Sequence, residues 1–171
     1  YNLDKTNAVV EKIHATKLQL SDVMGDNLPP DPEAEADKTV AGIDANNNGI
    51  RDDVELAILK AYPNSAKTRA VLLQYALALQ MEFTLPILNK ITVTAIVEDT
   101  ENKALTCIWS ISSRKDMKKF TEETDKNQNF IKLRQINTEQ RKEYIKTFYD
   151  NLGSYSLRDV DCDIDLKTLS N

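Results

Sequence analysis

The stretch SAKTRAVLLQYALALQMEFTL, residues 65–85, is the most apolar part of the chain and decides its fold. One stripe at helical spacing contains Ala66, Ala70, Leu73, Leu77, Met81 and Leu85, and a second set, Val71, Leu72, Tyr75, Ala76 and Leu79, widens it. A helix that is apolar around most of its circumference has to be buried, so the pattern predicts a central helix. Asn64 or Ser65 supplies its N-cap, and Pro86 ends or kinks it.

The segments on either side of this stretch also have helical periodicity. It predicts further helices near residues 7–24, 52–62, 91–111, 117–131 and 138–152. Residues 91–97, ITVTAIV, have the β-branched content of a strand, but helical spacing continues to Ile111 and favours a helix. We therefore expect an all-α fold, an irregular helical bundle of about six helices.

The expected organisation is a single domain over residues 1–171. Within it we expect an N-terminal helix (1–25), a proline-rich arm or linker (26–43), a helical core (52–153) and an extended tail (154–171). Three of the five prolines of the chain lie within residues 26–37, which is why that segment is expected to cross the surface as an arm.

The composition excludes several classes of protein. Hydrophobic residues make up 41% and charged residues 29%, a balance typical of a globular chain with a real core. The net charge of −5 argues against binding to nucleic acid or to an anionic membrane surface. No run approaches the roughly 18–20 apolar residues of a membrane-spanning helix, so no membrane span is expected.

The candidate functional motif is DANNNGIRDDVE, residues 44–55. Oxygen-bearing side chains occupy loop positions 1, 3, 5, 9 and 12 of a calcium-binding loop, and position 6 is a glycine. The expected ligands are the side chains of Asp44, Asn46, Asn48, Asp52 and Glu55 and the backbone carbonyl of Ile50. Alternate side chains of a tightly turned loop converge on one point, and Gly49 permits the positive φ angle of that turn.

This motif resembles the calcium loop of the EF-hand family. More narrowly, it is similar to the single D-x-[DN]-x-[DN]-G-[IV]-x-D-D loops of secreted bacterial proteins and of thrombospondin type 3 repeats. A wider set of residues also resembles uncharacterised exported bacterial proteins: Gly42-Ile43, residues 51–54, Tyr62-Pro63, Gln74-Tyr75 and Cys107-Ile108-Trp109. The resemblance implies bound Ca²⁺ but no activity.

The loop departs from the paired EF-hand pattern at position 8, where Arg51 replaces an apolar β-branched residue. The chain has no second loop of this kind, so we expect a solitary site with an exiting helix and without a regular entering helix. Three carboxylates and two neutral amides predict a dissociation constant near ~10⁻⁴ to 10⁻³ M, as in extracellular modules. The alternative interpretation is a polar turn with Asp52 and Asp53 at a helix N-terminus.

Two cysteines, Cys107 and Cys162, favour a disulfide and an oxidising compartment, with two buried thiols in a cytosolic protein as the alternative. The chain begins at Tyr1 rather than Met, so either a leader was removed or the sequence was trimmed; together with the cysteine pair, this leads us to expect a removed signal peptide and a periplasmic or secreted location.

Other residues are weaker candidates for a functional role. His14, the only histidine, lies on a predicted helix without a nucleophile motif nearby, and Trp109 is expected in the core or beside the disulfide. The four acidic residues Asp159, Asp161, Asp163 and Asp165 alternate with apolar residues, which predicts a tail with its carboxylates on one face and a second cation site as the alternative. A basic patch on a polar helix contains Arg114, Lys115, Lys118 and Lys119.

These patterns support three hypotheses. The first is an exported, calcium-binding helical domain in which calcium is structural and the chain is a binding or interaction module for an unidentified protein partner. The second is an enzyme of unrecognised mechanism that uses carboxylates, although no known catalytic motif is present. The third is a purely structural envelope or effector-type domain with a vestigial calcium loop.

Overall fold

The computed structural model describes residues 3–171, which form helices and turns, with no β-strand among these described residues. The α-helices are α1 (Leu3–Ala15), α2 (Leu20–Met24), α3 (Asp52–Ala61), α4 (Ala66–Thr84), α5 (Lys90–Ile96), α6 (Asn102–Ser110), α7 (Met117–Gln135) and α8 (Glu139–Asp150). Short 3₁₀ helices span Glu33–Asp37 and Leu166–Thr168. The predicted all-α class is confirmed; Tyr1 and Asn2, part of the predicted domain and N-terminal helix, lie outside the described residues.

Helix α4 is the centre of the bundle, as its apolar stripes predict. Nearly every residue from Ala66 to Phe83 is buried, and the other α-helices except α1 pack directly around α4. The Ser65 side chain caps its N-terminus by accepting a hydrogen bond from the Thr68 amide. One connected core joins residues from Val9 to Phe148 through this helix.

The predicted helix over residues 7–24 is two helices, so that prediction was wrong in its continuity. The chain leaves α1 after Ala15 and re-enters helix at Leu20. At the break, the Leu18 amide donates to Asp163 of the tail at 2.9 Å, and the Leu18 side chain enters the core. Tertiary contacts of Leu18 therefore replace the helical hydrogen bonds that local periodicity favoured.

Residues 90–110 are helical without interruption, and the predicted helix, rather than strand, over residues 91–97 is confirmed. Helix α5 runs into a π-helical turn, Val97–Glu101, which continues directly into α6. The π-helical turn packs against α4. Such turns insert an extra residue into a helix and so change which side chains face inward.

The proline-rich segment 26–43 is held against the bundle by Arg141 of α8, which is fully buried. Its guanidinium donates to the carbonyls of Ala36, Thr39 and Val40 and to the carboxylate of Asp37. The loop that follows therefore starts from a fixed position.

The tail after α8 is irregular and is fastened by the Cys107–Cys162 disulfide, which confirms the predicted pairing. The prediction that the four tail carboxylates share one face was wrong for Asp163. Its buried side chain bonds to Gln74 and Lys103, because these inward polar partners outweigh the period-two pattern. None of the described helices has both the length and the apolar character required to cross a membrane.

Candidate metal site

Residues 44–51 form a non-helical loop that leads directly into α3 at Asp52. A loop with an exiting helix and no regular entering helix is what the sequence predicts. Gly49 has a φ angle of 85°, in the left-handed region that the motif requires. The Ile50 side chain is fully buried in the core, so the loop is anchored at its centre.

Glu55 lies on the first turn of α3 and is almost completely buried. Its two carboxylate oxygens accept hydrogen bonds from two loop side chains: Oε1 from Asn48 Nδ2 at 3.0 Å and Oε2 from Asn46 Nδ2 at 3.1 Å. Burial raises the pKa of Glu55 to about 7, although the two amides act in the opposite direction. The carboxyl group that closes the motif is thus turned inward onto two other predicted ligands.

Asp44 and Asp52 face the loop backbone. The Asp44 oxygens accept from the amides of Asn48 at 3.1 Å and Gly49 at 2.9 Å. Both Asp52 oxygens lie 3.1 Å from the Ala45 amide nitrogen, and burial raises the pKa of Asp52. A carboxylate has about four lone-pair sites, so these contacts leave capacity for a cation.

The structure therefore connects Asp44, Asn46, Asn48 and Glu55 through hydrogen bonds, with Asp52 at the same turn. Within residues 3–171, no three His, Cys, Asp or Glu side chains lie close enough together to hold a metal. The reason is local: amide side chains and backbone N–H groups stand between the carboxylates. The arrangement is a mixed carboxylate and amide cluster.

Asp22 of α2 joins this cluster and was missed from the sequence. Its Oδ1 accepts from Asn48 Nδ2 at 3.2 Å, and its charge contributes to raising the pKa of Glu55. The Asn27 carbonyl nearby accepts from Asn46 Nδ2 at 2.9 Å. Sequence offers no signal for Asp22, because it lies 22 residues before the motif in an ordinary amphipathic helix.

Arg51 at loop position 8 anchors the opposite side of the loop. It is fully buried and donates to the carbonyls of Arg134 and Gln135 at the C-terminal end of α7. Its guanidinium also pairs with Asp53 at 2.6 Å, which holds the Asp53 carboxylate away from the cluster. A cation at a helix C-terminus is favourable, so Arg51 fixes the loop to α7.

Gly42 makes that path possible. Its φ angle is 68°, and a Cβ atom placed there would come within 2.4 Å of the Arg51 side chain. The carbonyl of the preceding Ala41 accepts from Gln80 of α4 at 2.7 Å. The loop is therefore fixed at both ends before any ligand is considered.

A cavity of about 540 Å³ adjoins the loop, with Asp22, Asp44 and Asn48 in its wall. Lys12 and Lys17 also border this cavity, and Leu77 and Met81 of α4 contribute apolar surface. One side of the cluster therefore faces open space that water or a ligand can enter.

The weaker candidates lie elsewhere. His14 is exposed and pairs with Asp99 at 2.8 Å, and Trp109 packs against the core. The predicted basic patch lies around the start of α7, where Lys118 and Lys119 face Glu122 and Glu123 in weak surface ion pairs.

Comparison with known protein families, with curated proteins and with solved structures finds no match to this chain.

Proposed function

We propose that this protein binds one Ca²⁺ ion through the 44–55 loop and that the ion is structural. The observation that carries the proposal is the environment of Glu55. This side chain is almost fully buried, both of its oxygens face predicted ligand side chains, and the charges of Asp22 and Asp52 act on it. A buried acidic group among other acids is stabilised strongly by a cation.

The donor set suits a hard cation. Rotation of the Asn46 and Asn48 amides by half a turn would present Oδ1 where Nδ2 now meets Glu55, and oxygen and nitrogen are nearly equivalent in shape. The separations of 3.0 and 3.1 Å match the roughly 3 Å between neighbouring oxygens around an ion bound at about 2.3–2.6 Å. The Asp44 and Asp52 side chains and the Ile50 carbonyl complete the set.

The proposed effect of the ion is to join segments that are distant in sequence. Asn46 and Asn48 already contact Asn27 and Asp22 near α2, while Glu55 belongs to α3. A cation held among these groups would bind the N-terminal helices to the core. It would stabilise the fold by mass action, by about 1.4 kcal/mol at a free calcium concentration ten times the dissociation constant.

The proposed setting is outside the cytosol, in the periplasm or the extracellular medium. The disulfide is compatible with an exported protein, and a site of the expected ~10⁻⁴ to 10⁻³ M affinity fills only where calcium is plentiful. In that setting the helical domain acts as a calcium-stabilised binding or interaction module, with a protein partner rather than nucleic acid, because its net charge is −5.

The test is a calorimetric calcium titration of the wild type and of Glu55→Gln, with Glu11→Gln as the matched control. Glu11 is exposed on α1 and its substitution removes the same charge. We expect one site in the wild type and in the control. Binding should weaken at least tenfold in Glu55→Gln because the bidentate carboxylate is lost.

Magnesium in a parallel titration tests the class of ion, because its smaller, rigid octahedral shell suits this loop poorly. Equal calcium affinity in all three proteins, or no heat of binding in the wild type, would contradict the proposal and leave the loop as a polar turn.

The enzyme hypothesis requires converging acids in a cavity away from the loop. Glu82 and Glu101 do converge, but the cavity beside the loop and a second one of about 780 Å³ beside the tail are lined by other residues. No observation therefore favours it over a binding module.

A further inference from the structure

Two carboxyl groups approach each other at the edge of the core, outside the 44–55 loop. Glu82 of α4 is fully buried, and its carboxyl group approaches that of Glu101, the last residue of the π-helical turn, closely enough that both contact one hydroxyl group, that of Tyr149. We call Glu82 and Glu101 the carboxyl pair. Two ionised carboxylates can only accept hydrogen bonds and repel each other, so an approach this close favours a proton or a cation between them.

Among the described residues, one side-chain hydrogen-bond donor reaches the carboxyl pair. The Tyr149 hydroxyl of α8 lies 3.1 and 3.3 Å from the two Glu82 oxygens and 3.2 Å from a Glu101 oxygen. A phenol carries one proton and therefore satisfies one of these three oxygens at a time. Tyr149 bridges the carboxyl pair without neutralising it.

A second hydroxyl lies close to the carboxyl pair. Tyr75 is fully buried on α4, and its hydroxyl oxygen has no hydrogen-bond partner among the described residues. The charges of Glu82 and Glu101 both act on this phenol, so it lies within their field. A buried hydroxyl without a partner is rare, and here it means that Tyr75 donates no hydrogen bond to the carboxyl pair.

The remaining charge facing the carboxyl pair is Lys132 of α7, which acts on both acids through space without forming an ion pair with either. Burial raises the pKa of Glu82 well above its ordinary range, and the neighbouring Glu101 adds to the effect. Burial also raises the pKa of Glu101 and of Tyr149, which keeps the phenol a proton donor. The distant lysine does not offset this burial.

We infer that the carboxyl pair is a proton-binding site: one proton held between Glu82 and Glu101 at neutral pH joins α4, the π-helical turn and α8. When this proton is lost to water, two carboxylates face each other with a single phenol donor. Their repulsion then weakens the contact through which Tyr149 holds α8 on the core. The fold thus contains a junction whose strength falls as pH rises.

The sign of the effect follows from linkage. The native protein holds one more proton than the unfolded chain at every pH between the ordinary glutamate pKa of about 4.3 and the higher value in the fold. Over this window the unfolding equilibrium constant rises with pH by up to about tenfold per unit. Below the window both states are protonated, and the effect is constant.

The direct test is infrared spectroscopy of the Glu55→Gln protein, in which the raised pKa of the loop glutamate no longer contributes. At about pH 8, where an ordinary glutamate is ionised, we expect the C=O stretch of one protonated carboxyl group. This band should disappear when Glu82→Gln is added and remain when the control Glu11→Gln is added. Absence of this band in the folded parent protein overturns the proposal, as does its retention after both Glu82→Gln and Glu101→Gln.

Urea unfolding across pH gives an independent result. We expect the pH dependence of the unfolding constant to decrease by close to one proton in Glu82→Gln, whose amide can donate to Glu101, relative to the Glu11→Gln control. Should Glu82→Gln not fold, Glu101→Gln replaces it. Equal slopes overturn the proposal, and so does a stoichiometric metal ion that depends on Glu82, because a cation would then occupy the place of the proton.

Discussion

The 44–55 loop and the carboxyl pair both bury acidic side chains, but their hydrogen-bond partners differ. In the loop, Glu55 faces asparagine amides, and its neighbours Asp44 and Asp52 accept from backbone N–H groups beside an open cavity. In the core, Glu82 faces another carboxyl group and a phenol. The 44–55 motif offers about seven candidate oxygens within one segment, whereas the carboxyl pair offers few.

Under the two proposals above, this difference decides between a cation and a proton as the neutralising partner. A hard cation needs six to eight oxygens, and a twelve-residue loop can supply them by alternation. Two acids on adjacent helices cannot, so raising the pKa and retaining one proton is the less costly way to bury them.

Arg141→Ala has the largest expected effect. It tests whether Arg141 or the proposed ion holds the loop in place. Arg141→Ala removes a buried guanidinium that holds segment 26–43, and it leaves the carbonyls of Ala36, Thr39 and Val40 without that donor. We expect a loss of roughly 3–5 kcal/mol in unfolding free energy by urea denaturation. Lys142→Ala, exposed on the same helix, is the control and should change it by less than about 1 kcal/mol. If saturating calcium abolished the loss, the ion and not Arg141 would position the loop.

Leu77→Ala and Leu72→Ala separate loop support from general packing. Both leucines are buried on α4, but Leu77 lies against Gly49 and lines the cavity beside the loop. Each variant should lose about 2–5 kcal/mol of stability. Calorimetry should show weaker calcium binding for Leu77→Ala alone, and equal weakening in both would mean that α4 does not support the loop specifically.

Asp163 also has a buried carboxylate, but it pairs with a cation, Lys103, and so serves as the comparison for Glu55 and Glu82. Burial acts to raise its pKa, but hydrogen bonds from Lys103, Gln74 and the Leu18 amide outweigh it, and the pKa lies below the ordinary value. A lowered pKa contributes stability above the unfolded value of about 3.9, and this contribution is lost as pH falls through the native value. Asp163→Asn should cost roughly 1.5–3 kcal/mol at neutral pH.

Urea unfolding at a series of pH values should show the gap between the wild type and Asp163→Asn narrowing below about pH 4. This direction is opposite to that expected for Glu82. A gap that widens toward low pH would show that the hydrogen bonds do not lower the pKa of Asp163.

Gly49→Ala has a smaller expected effect on stability. Alanine at this position would have to adopt a left-handed φ angle, and its Cβ would lie 2.8 Å from Leu77 Cδ1. We therefore expect the unfolding free energy to fall by about 1–3 kcal/mol. In a double-mutant cycle with Leu77→Ala, the steric part of the loss should be recovered and the backbone part should remain. Full additivity would contradict the close contact of Gly49 with α4.

The sequence was sufficient for the features encoded over short distances. Periodicity placed α3 and α4, the spacing of residues 44–55 placed the turn at Gly49, and two cysteines were sufficient for the disulfide. Each of these features depends on residues within one helix or one loop, or on a single available pairing.

The features that the sequence did not reveal all depend on contacts between distant segments. Arg51 and Arg141 are typical surface residues by composition, yet both are fully buried because backbone carbonyls of other segments converge on them. Asp22 joins the loop only through the fold, and Glu82 meets Glu101 only because the π-helical turn packs on α4. Local patterns carry no information on such pairings.

The central claim is that the loop surrounds a calcium ion, and the most direct measurement is a crystal structure of the full chain grown in millimolar calcium. We predict one ion between Asp44 and Glu55, with six or more oxygens at about 2.3–2.6 Å, both Glu55 oxygens among them, and the Asn46 and Asn48 amides turned so that Oδ1 faces the ion. Amides that still donate to Glu55, with no ion between Asp44 and Glu55, would contradict the account.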